Sequence, residues 1–471
     1  MAHRAVEPES RQSFDVRQRD QEPFAGYSVI DLVFGSPQFD NLRTALQSFS
    51  TEAAAILLCR EVTTNLGSRL LVRQIHVMSD PQLSYRTSVG IEIKPEVVAQ
   101  FSKEARTNDL SLTFVHTHPN DSHREFSPID DAGEGRLKVF LDNRNSGHAH
   151  VSVLLTPDAV AARVIGGDGD VRVMQIGRKV DTYGQGIQVP KIHPDTFDRQ
   201  VRVFGTDAQA RLAAVKVGIV GVGGIGSVIA EELTHLGVAD LTLVDPDVIE
   251  STNLNRVVGA KLNDIGEYKV DVAARWITAL RPDHRVRCIR GSVLATSVAH
   301  ELRNIEFLFI CTDSNGSRAI LNQFAYQYLI PSIDTGVAIA VKKSRVTSVT
   351  GRVQMLAPGL GCLTCAELLD PDAVRTDLMT DYERQTDPYF IGTGTAQPAV
   401  MSINATVASL AVTMFLGAVA HIPADARFQL YDGIRGTLRH IRHDPVAACV
   451  VCSQRGALAR GDEWPLPTRN M

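Results

Sequence analysis

The run at 216–237, KVGIVGVGGIGSVIAEELTHLG, constrains the fold more than any other stretch of the chain. A short apolar strand enters a glycine turn and leaves it as a helix, the opening of a βαβ unit. Strand DLTLVD, helix KVDVAARWITAL, strands VRCIRG and EFLFICTD, and helix SRAILNQFAYQYL follow in that order. Strands alternating with helices of this length predict an α/β domain with a parallel, doubly wound sheet. Gly221, Gly223, Gly224 and Gly226 let the backbone come close to a phosphate, and the helix N-terminus behind them presents unpaired N–H groups. Asp245 ends the next strand about twenty residues later, in reach of ribose hydroxyls. On these residues alone a nicotinamide-dependent oxidoreductase and an ATP enzyme fit equally well.

A second pattern lies upstream. Between 27 and 165 the runs AAAILLCR, RLLVRQIHVM, LSLTFVHTH and HVSVLLT read as strands, with helices predicted near 39–49 and 95–105. The chain therefore divides into a flexible tail (1–26), a first α/β domain (27–165), a linker (166–192) with room for a short strand pair at its start, the doubly wound domain (193–455) and a solvated C-terminal tail (456–471). At 471 residues, 44% of them apolar, there is material for two cores. A net charge of −5 gives no reason to expect nucleic acid or an anionic membrane as partner. Residues 1–24 are polar, with no apolar signal region, so a cytoplasmic location is expected. The apolar run 401–420 carries Ser402, Asn404, Thr406 and Ser409, which predicts a buried core helix rather than a membrane span.

The first domain carries HTHPNDSHREFSPIDD at 116–131. His116 and His118, two apart on a strand, point to one face and can reach one ion. Pro119 turns the chain, so that Asp130 can return as third ligand, leaving the open position that a catalytic zinc needs. Four of the seven cysteines form two CxxC pairs, Cys362/Cys365 and Cys449/Cys452. In a chain without a secretion signal this favours metal binding over disulfides.

HTHP followed by FSPIDD resembles the signature of the JAB/MPN metalloproteases (the JAMM motif), which remove ubiquitin-like proteins or trim their C-termini. The resemblance implies a cytidine-deaminase-like α/β fold with a catalytic zinc on His116, His118 and Asp130. It also implies Glu52 of TEAAAILLC as general acid/base and Ser127 as the group that polarises the tetrahedral intermediate. The spacing from Pro119 to Ser127 is one residue longer than the family pattern. Asp131 therefore stays open as an alternative to Asp130, which keeps the S-x-x-D step, and His123 is a further candidate ligand.

DPDVIESTNLNR at 245–256, Lys269, CTDS at 311–314 and FDRQVRVFG at 197–205 together resemble the adenylation domain of the ThiF/MoeB family and of ubiquitin-activating enzymes. This resemblance covers roughly 195–455 and implies ATP and Mg2+ as cofactors. In it Arg256 and Lys269 hold the phosphates, Asp245 the ribose and Asp313 the magnesium; Asp247 and Asn253 belong to the phosphate pocket. Arg199 supplies a further guanidinium, often across the interface of a homodimer. The four paired cysteines match the family's structural zinc. No cysteine falls between 366 and 448, where a thioester-forming cysteine is usual, and Cys59, Cys288 and Cys311 read as buried apolar residues.

Taken together, the two resemblances imply a fused processing and activating enzyme in a bacterial ubiquitin-like conjugation system. One domain would free the C-terminal glycine of a ubiquitin-like protein and the other would adenylate it. The adenylate would pass to a separate conjugating enzyme or sulfur donor, with no thioester on this chain. Trimming and activation of a sulfur-carrier protein is the alternative; a first domain that only binds the carrier is a further one.

Overall fold

The computed structural model describes residues 29–65, 67–120, 125–167, 169, 171–184, 194–380, 383 and 398–469. The N-terminal lobe is built in chain order from β1 (Val29–Gly35), α1 (Ser36–Gln47), β2 (Ala54–Thr64), β3 (Gly67–Val77), β4 (Leu83–Arg86), β5 (Ile91–Ile93), α2 (Pro95–Thr107), β6 (Ser111–Thr117), α3 (Pro128–Arg144), β7 (Val151–Leu155), β8 (Val160–Val164), β9 (Val171–Ile176) and β10 (Val180–Tyr183). Eight of these strands form one mixed sheet in the order β10-β9-β1-β3-β2-β6-β7-β8, and β4 and β5 pair as a separate hairpin. The central strand β2 reads AAILLCR because both its faces are covered; its first seven residues are all buried. Phe39, Leu42 and Leu46 of α1 close one face. Val97, Phe101 and Ala105 of α2, with Leu141 of α3, close the other.

The C-terminal lobe follows with α4 (Asp198–Ala214), β11 (Lys216–Val220), α5 (Gly226–Leu236), β12 (Asp240–Val244), α6 (Lys269–Leu280), β13 (Arg285–Ile289), α7 (Thr296–Glu301), β14 (Phe307–Ile310), α8 (Asn315–Gln327), β15 (Ser332–Lys342), β16 (Arg345–Leu356), α9 (Pro371–Leu378), α10 (Met401–Val419), β17 (Phe428–Asp432) and β18 (Thr437–His440). Its sheet runs β13-β12-β11-β14-β15-β16-β17-β18. The first five strands in that order are parallel and the last three antiparallel additions. The doubly wound sheet expected from the sequence is therefore present and is extended by a meander. Strand order reverses between β11 and β14, and an open α/β sheet binds its ligands at the carboxyl ends of such a pair. By length and composition α10 is apolar enough to span a membrane. In this fold it is a core helix: Phe415 meets Phe307 and Phe309 at ring separations of 4.8 and 5.6 Å.

The two lobes share a core. Val33, Val62, Leu71, Met174 and Ile176 of the first sheet pack into the same cluster as Val217, Ile219, Phe307 and Phe309 of the second. At the rim of that seam Arg172 bridges Asp31 at 2.7 Å and Glu306 at 2.5 Å. Two boundaries read from the sequence move as a result. Within the expected linker 166–192, residues 171–183 supply β9 and β10, because β9 pairs in parallel with β1 and leaves no spacer there. The expected solvated tail is anchored: Asp462 accepts from Tyr328 Oη at 2.7 Å, and Gln327 Nε2 donates to Gly461 O at 2.8 Å. Ala457 and Ala459 are buried.

Candidate functional site

The loop after β11 and the loop after β14 enclose a cavity of about 450 Å³. Gly221, Gly223, Gly224, Asp245, Asp247, Asn253, Arg256, Lys269 and Asp313 all line it. The glycines are there for a physical reason. Gly221 has φ +91° and lies so close to the end of β14 that a Cβ would stand 2.7 Å from Cys311 O; a Cβ on Gly226 would collide with Gly221 O. Gly226 thus shapes the turn from behind rather than lining the cavity. Asp245, 4% exposed, braces the loop by accepting from Val222 N at 2.7 Å and Asp247 N at 2.8 Å. Burial pushes its carboxyl up, against the pull of Lys269 and these N–H groups.

Lys269, the first residue of α6, pairs with Asp247 at 2.7 Å. Arg256 is tethered at Thr252 O, 2.6 Å away, and at Asn255 Oδ1. Asp313 is exposed just before α8. The cavity therefore holds cations facing a glycine-rich backbone, an arrangement that neutralises phosphate charge. Arg199 is exposed near the start of α4 and does not line the cavity. Lining residues that the sequence reading did not single out for the site include Arg318 and Asn404. Arg318 reaches Thr335 O at 3.0 Å and stands 3.4 Å from the fully buried Asp334, which Arg352 pairs at 2.6 Å. Asn404, on α10, is 5% exposed and abuts Gly224. Ser314, the last residue of the CTDS motif, caps α8 by accepting from Ser317 N.

The second cluster sits at the C-terminal end of β6. Ala54 pairs with His116 across the β2–β6 ladder, so Glu52, two residues earlier, stands opposite His118. His118 Nε2 lies 3.4 Å from Asp130 Oδ2 and 3.7 Å from Glu52 Oε1, and His116 Nε2 lies 3.2 Å from Asp130 Oδ1. Nε2 of His116 is buried without a well-aligned hydrogen bond among the described residues. The S-x-x-D step is itself a capping box: Ser127 N donates to Asp130 Oδ2 at 2.7 Å, and Asp130 N donates to Ser127 Oγ at 3.2 Å. That box aims Asp130 at the histidines, whereas Asp131 turns away to Arg163 at 2.7 Å. Burial opposes charge on Asp130, but the two imidazoles hold it well below the usual carboxylate range. Burial raises Glu52, opposed by the same imidazoles. His123 lies outside the described residues. A tetrahedral zinc with ligands about 2.0–2.1 Å away sets its donor atoms about 3.3 Å apart, so this donor set fits one.

The cysteine pairs come together from positions 87 residues apart in sequence. Sγ of Cys362 lies 3.6 Å from those of Cys365 and Cys449, and Cys365 lies 3.4 Å from Cys452. N–H groups of Cys365, Val446 and Val451 point at Cys362, Cys365 and Cys449 sulfurs at 3.4 Å, which favours thiolates. Four sulfurs on a tetrahedron of about 2.3 Å bonds are about 3.8 Å apart, so this cluster also fits zinc and leaves no open position. Among the other cysteines, burial pushes the thiols of Cys59 and Cys311 up to about 12 and that of Cys288 to about 11. None is poised as a nucleophile.

Comparisons with known proteins speak to the C-terminal lobe. The SAMP-activating enzyme E1 of Haloferax volcanii is 26% identical over 264 residues, 56% of this chain and 90% of that protein. The tRNA threonylcarbamoyladenosine dehydratase of Escherichia coli K12 is 31% identical over 143 residues, 30% of this chain and 53% of that protein. The adenylyltransferase and sulfurtransferase uba4 of Aspergillus niger is 34% identical over 131 residues, 27% of each chain. The chain thus spans most of the first relative and only about half or a quarter of the other two. Among solved structures, E. coli MccB with ATP aligns with 55% of this chain and 74% of its own, at 19% identity and a TM-score of 0.44. The ThiF family model matches residues 197–451, from the helix before β11 to the residue before Cys452, and the chain belongs to the ThiF family.

Proposed function

We propose that the C-terminal lobe adenylates the C-terminal carboxylate of a small carrier protein with ATP. The observation that carries this reading is the convergence of the glycine loop, Arg256, Lys269 and Asp313 on one cavity at the switch point of the sheet. A carboxylate oxygen attacks the α-phosphorus, the new C–O–P bond forms, and the bond to the β-phosphate breaks to release pyrophosphate. Both reactants are anions, so the step needs positive charge where they meet. Lys269 exchanges Asp247 for phosphate oxygens, Arg256 neutralises the departing pyrophosphate, and backbone N–H groups at Gly223 and Gly224 face the phosphates. Asp313 would hold magnesium, which supplies further charge compensation when bound. Relatives whose names specify activation of SAMP or of ubiquitin-like modifiers support a ubiquitin-like carrier ending in glycine, in a conjugation pathway. Incubation with ATP and such a carrier should release AMP under hydroxylamine trapping. Carrier lacking its last glycine should release none.

A second activity is favoured by the His116–His118–Asp130 cluster with Glu52 beside it. We infer that the N-terminal lobe is a JAB/MPN-like zinc hydrolase that cleaves after the carrier's terminal glycine. Zinc held there would lower the pKa of water and polarise the scissile carbonyl. Glu52 accepts the proton of the attacking water and returns it to the leaving amine. The Ser127 oxygen accepts the Asp130 N–H, and its own hydrogen stays available to donate to the oxyanion. Arg199, exposed on α4, would serve the adenylation cavity of a partner copy in a homodimer. Cleavage of a carrier–peptide fusion by the full chain, lost on chelation and restored by zinc, tests the hydrolase reading.

A further inference from the structure

A cavity of about 620 Å³ opens at the seam between the lobes, apart from the nucleotide cavity and the histidine cluster, and borders the cysteine cluster through Gly361, the residue before Cys362. Its walls come from both sheets. The β9–β10 turn supplies Arg178; β16 supplies Gln354, the residue before β17 is Arg427, and the segment after β18 supplies Arg442 and His443. Arg427 is 4% exposed, and backbone carbonyls fix its guanidinium: Nε donates to Arg178 O at 2.8 Å, and Nη1 to Ala424 O and Ala426 O. Arg178 in turn donates to Asp425 O at 2.7 Å. Both cations are thus held by neutral groups. Burial first, and then the repulsion of Arg178, lowers Arg427 to about 10, with Asp425 opposing. Asp444 is the acidic residue on the cavity wall.

Two polar atoms at this cavity are buried with no hydrogen-bond partner among the described residues, Gln354 Oε1 and His443 Nε2. Gln354 is 1% exposed, and its Nε2 is committed to Gly361 O at 3.0 Å, so Oε1 is fixed as an unpaired acceptor. A Cβ on Gly361 would stand 2.3 Å from His443 Cδ2, so the ring is seated firmly against that backbone. Two guanidiniums whose described hydrogen bonds go to backbone carbonyls rather than to a carboxylate favour an oxyanion, which they can bind with paired, charge-assisted hydrogen bonds. An unpaired buried acceptor needs a donor. Hydrogen phosphate supplies both, and the volume leaves room for an organic group on it.

We propose that the seam cavity is a binding site for a small molecule of the phosphate-monoester class. Arg178 and Arg427 hold its oxyanion, Arg442 stands at the mouth, and Gln354 and His443 take its donor and remaining oxygen. Because Arg178 belongs to the first lobe and the other residues to the second, a bound anion ties the lobes together and stabilises them by linkage.

The test is titration calorimetry of the full chain with inorganic phosphate, in an Arg256→Ala/Lys269→Ala background that removes the cations of the nucleotide cavity. About one phosphate per chain should bind in the millimolar range or tighter, and Arg178→Gln and Arg442→Gln should each weaken it about tenfold, the loss of one charge-assisted contact. Both arginines are exposed, so the variants keep the fold; in the otherwise native chain they leave nucleotide-dependent activity unchanged. Absence of phosphate binding overturns the proposal, as does binding indifferent to the Arg178→Gln/Arg442→Gln pair. Tighter binding of malonate than of phosphate, with the same arginine dependence, overturns the phosphate assignment in favour of a dicarboxylate.

Discussion

Arg172 on β9 and Glu306 just before β14 form an ion pair of 2.5 Å across the seam between the two lobes. Glu306 is 8% exposed, and Arg172 also holds Asp31 at 2.7 Å. Together the three groups add a charged tie to the apolar seam between the sheets, beside polar contacts such as Arg69 to Ile305 O and Arg427 to Arg178 O.

Glu306→Gln leaves Arg172 and the neighbouring buried Arg69 short of negative charge. Removing one partner of a buried pair costs about 3–5 kcal/mol; about 3 is expected here, because Asp31 still holds Arg172. Chemical denaturation of the wild type should show one transition for both lobes, and of the variant an earlier or divided one.

The two metal sites should be separable by counting. Zinc analysis of the full chain should give two equivalents, with His118→Ala losing one and Cys452→Ser the other. Cys452→Ser should also lower the melting temperature, since the cluster joins Cys362 to Cys449 across 87 positions of sequence. Loss of both equivalents in either variant would contradict two independent sites.

Glu52→Gln should retain zinc and the fold but reduce cleavage of a carrier–peptide fusion about a hundredfold or more, the usual contribution of a positioned acid/base. Adenylation should be untouched. A variant that cleaves at the wild-type rate would assign the proton transfer elsewhere.

His148 lies 3.2 Å from Glu61 Oε2 and 3.1 Å from Asp109 Oδ1. Its bond to Glu61 raises its pKa against the opposing effect of burial, with Asp109 adding to the rise. A group raised in the folded state contributes stability that is full below its unfolded value of about 6.5 and is lost as pH climbs through the folded value. The wild type should therefore lose stability on going from mildly acid to alkaline pH, and His148→Gln should flatten that part of the profile. Equal slopes would show that the pair contributes nothing.

The sequence revealed some parts of this molecule far better than others, and for physical reasons. The repeating strand–turn–helix pattern after Lys216 follows from burial on both faces of a parallel sheet, so it is written in every element. The site residues of the nucleotide cavity sit at strand ends and helix starts, where local sequence is most specific. By contrast α3 was missed: PIDDAGEGRLKVFLDNR has two glycines and one fully buried residue, Leu141, so no apolar stripe marks it. Its S-x-x-D start is both the capping box and the device that aims Asp130, and the sequence could not separate those roles. Arg318 of α8 meets Asp334 of β15 and Arg352 of β16 only once the helix packs on the sheet, and Asn404 arrives from a helix that reads as plain core. The C-terminal segment looked solvated because prolines and charged residues interrupt its apolar ones and leave no periodic pattern; its anchoring depends on Arg303, Gln327 and Tyr328, far away in sequence.

The most direct test of the account is ATP–pyrophosphate exchange by the full chain with a ubiquitin-like protein ending in glycine. Exchange should require the carrier and fall about a hundredfold or more in Lys269→Ala and Arg256→Ala, the scale of losing one preorganised charge. Absence of exchange with any such carrier, together with nicotinamide binding in the same cavity, would contradict it.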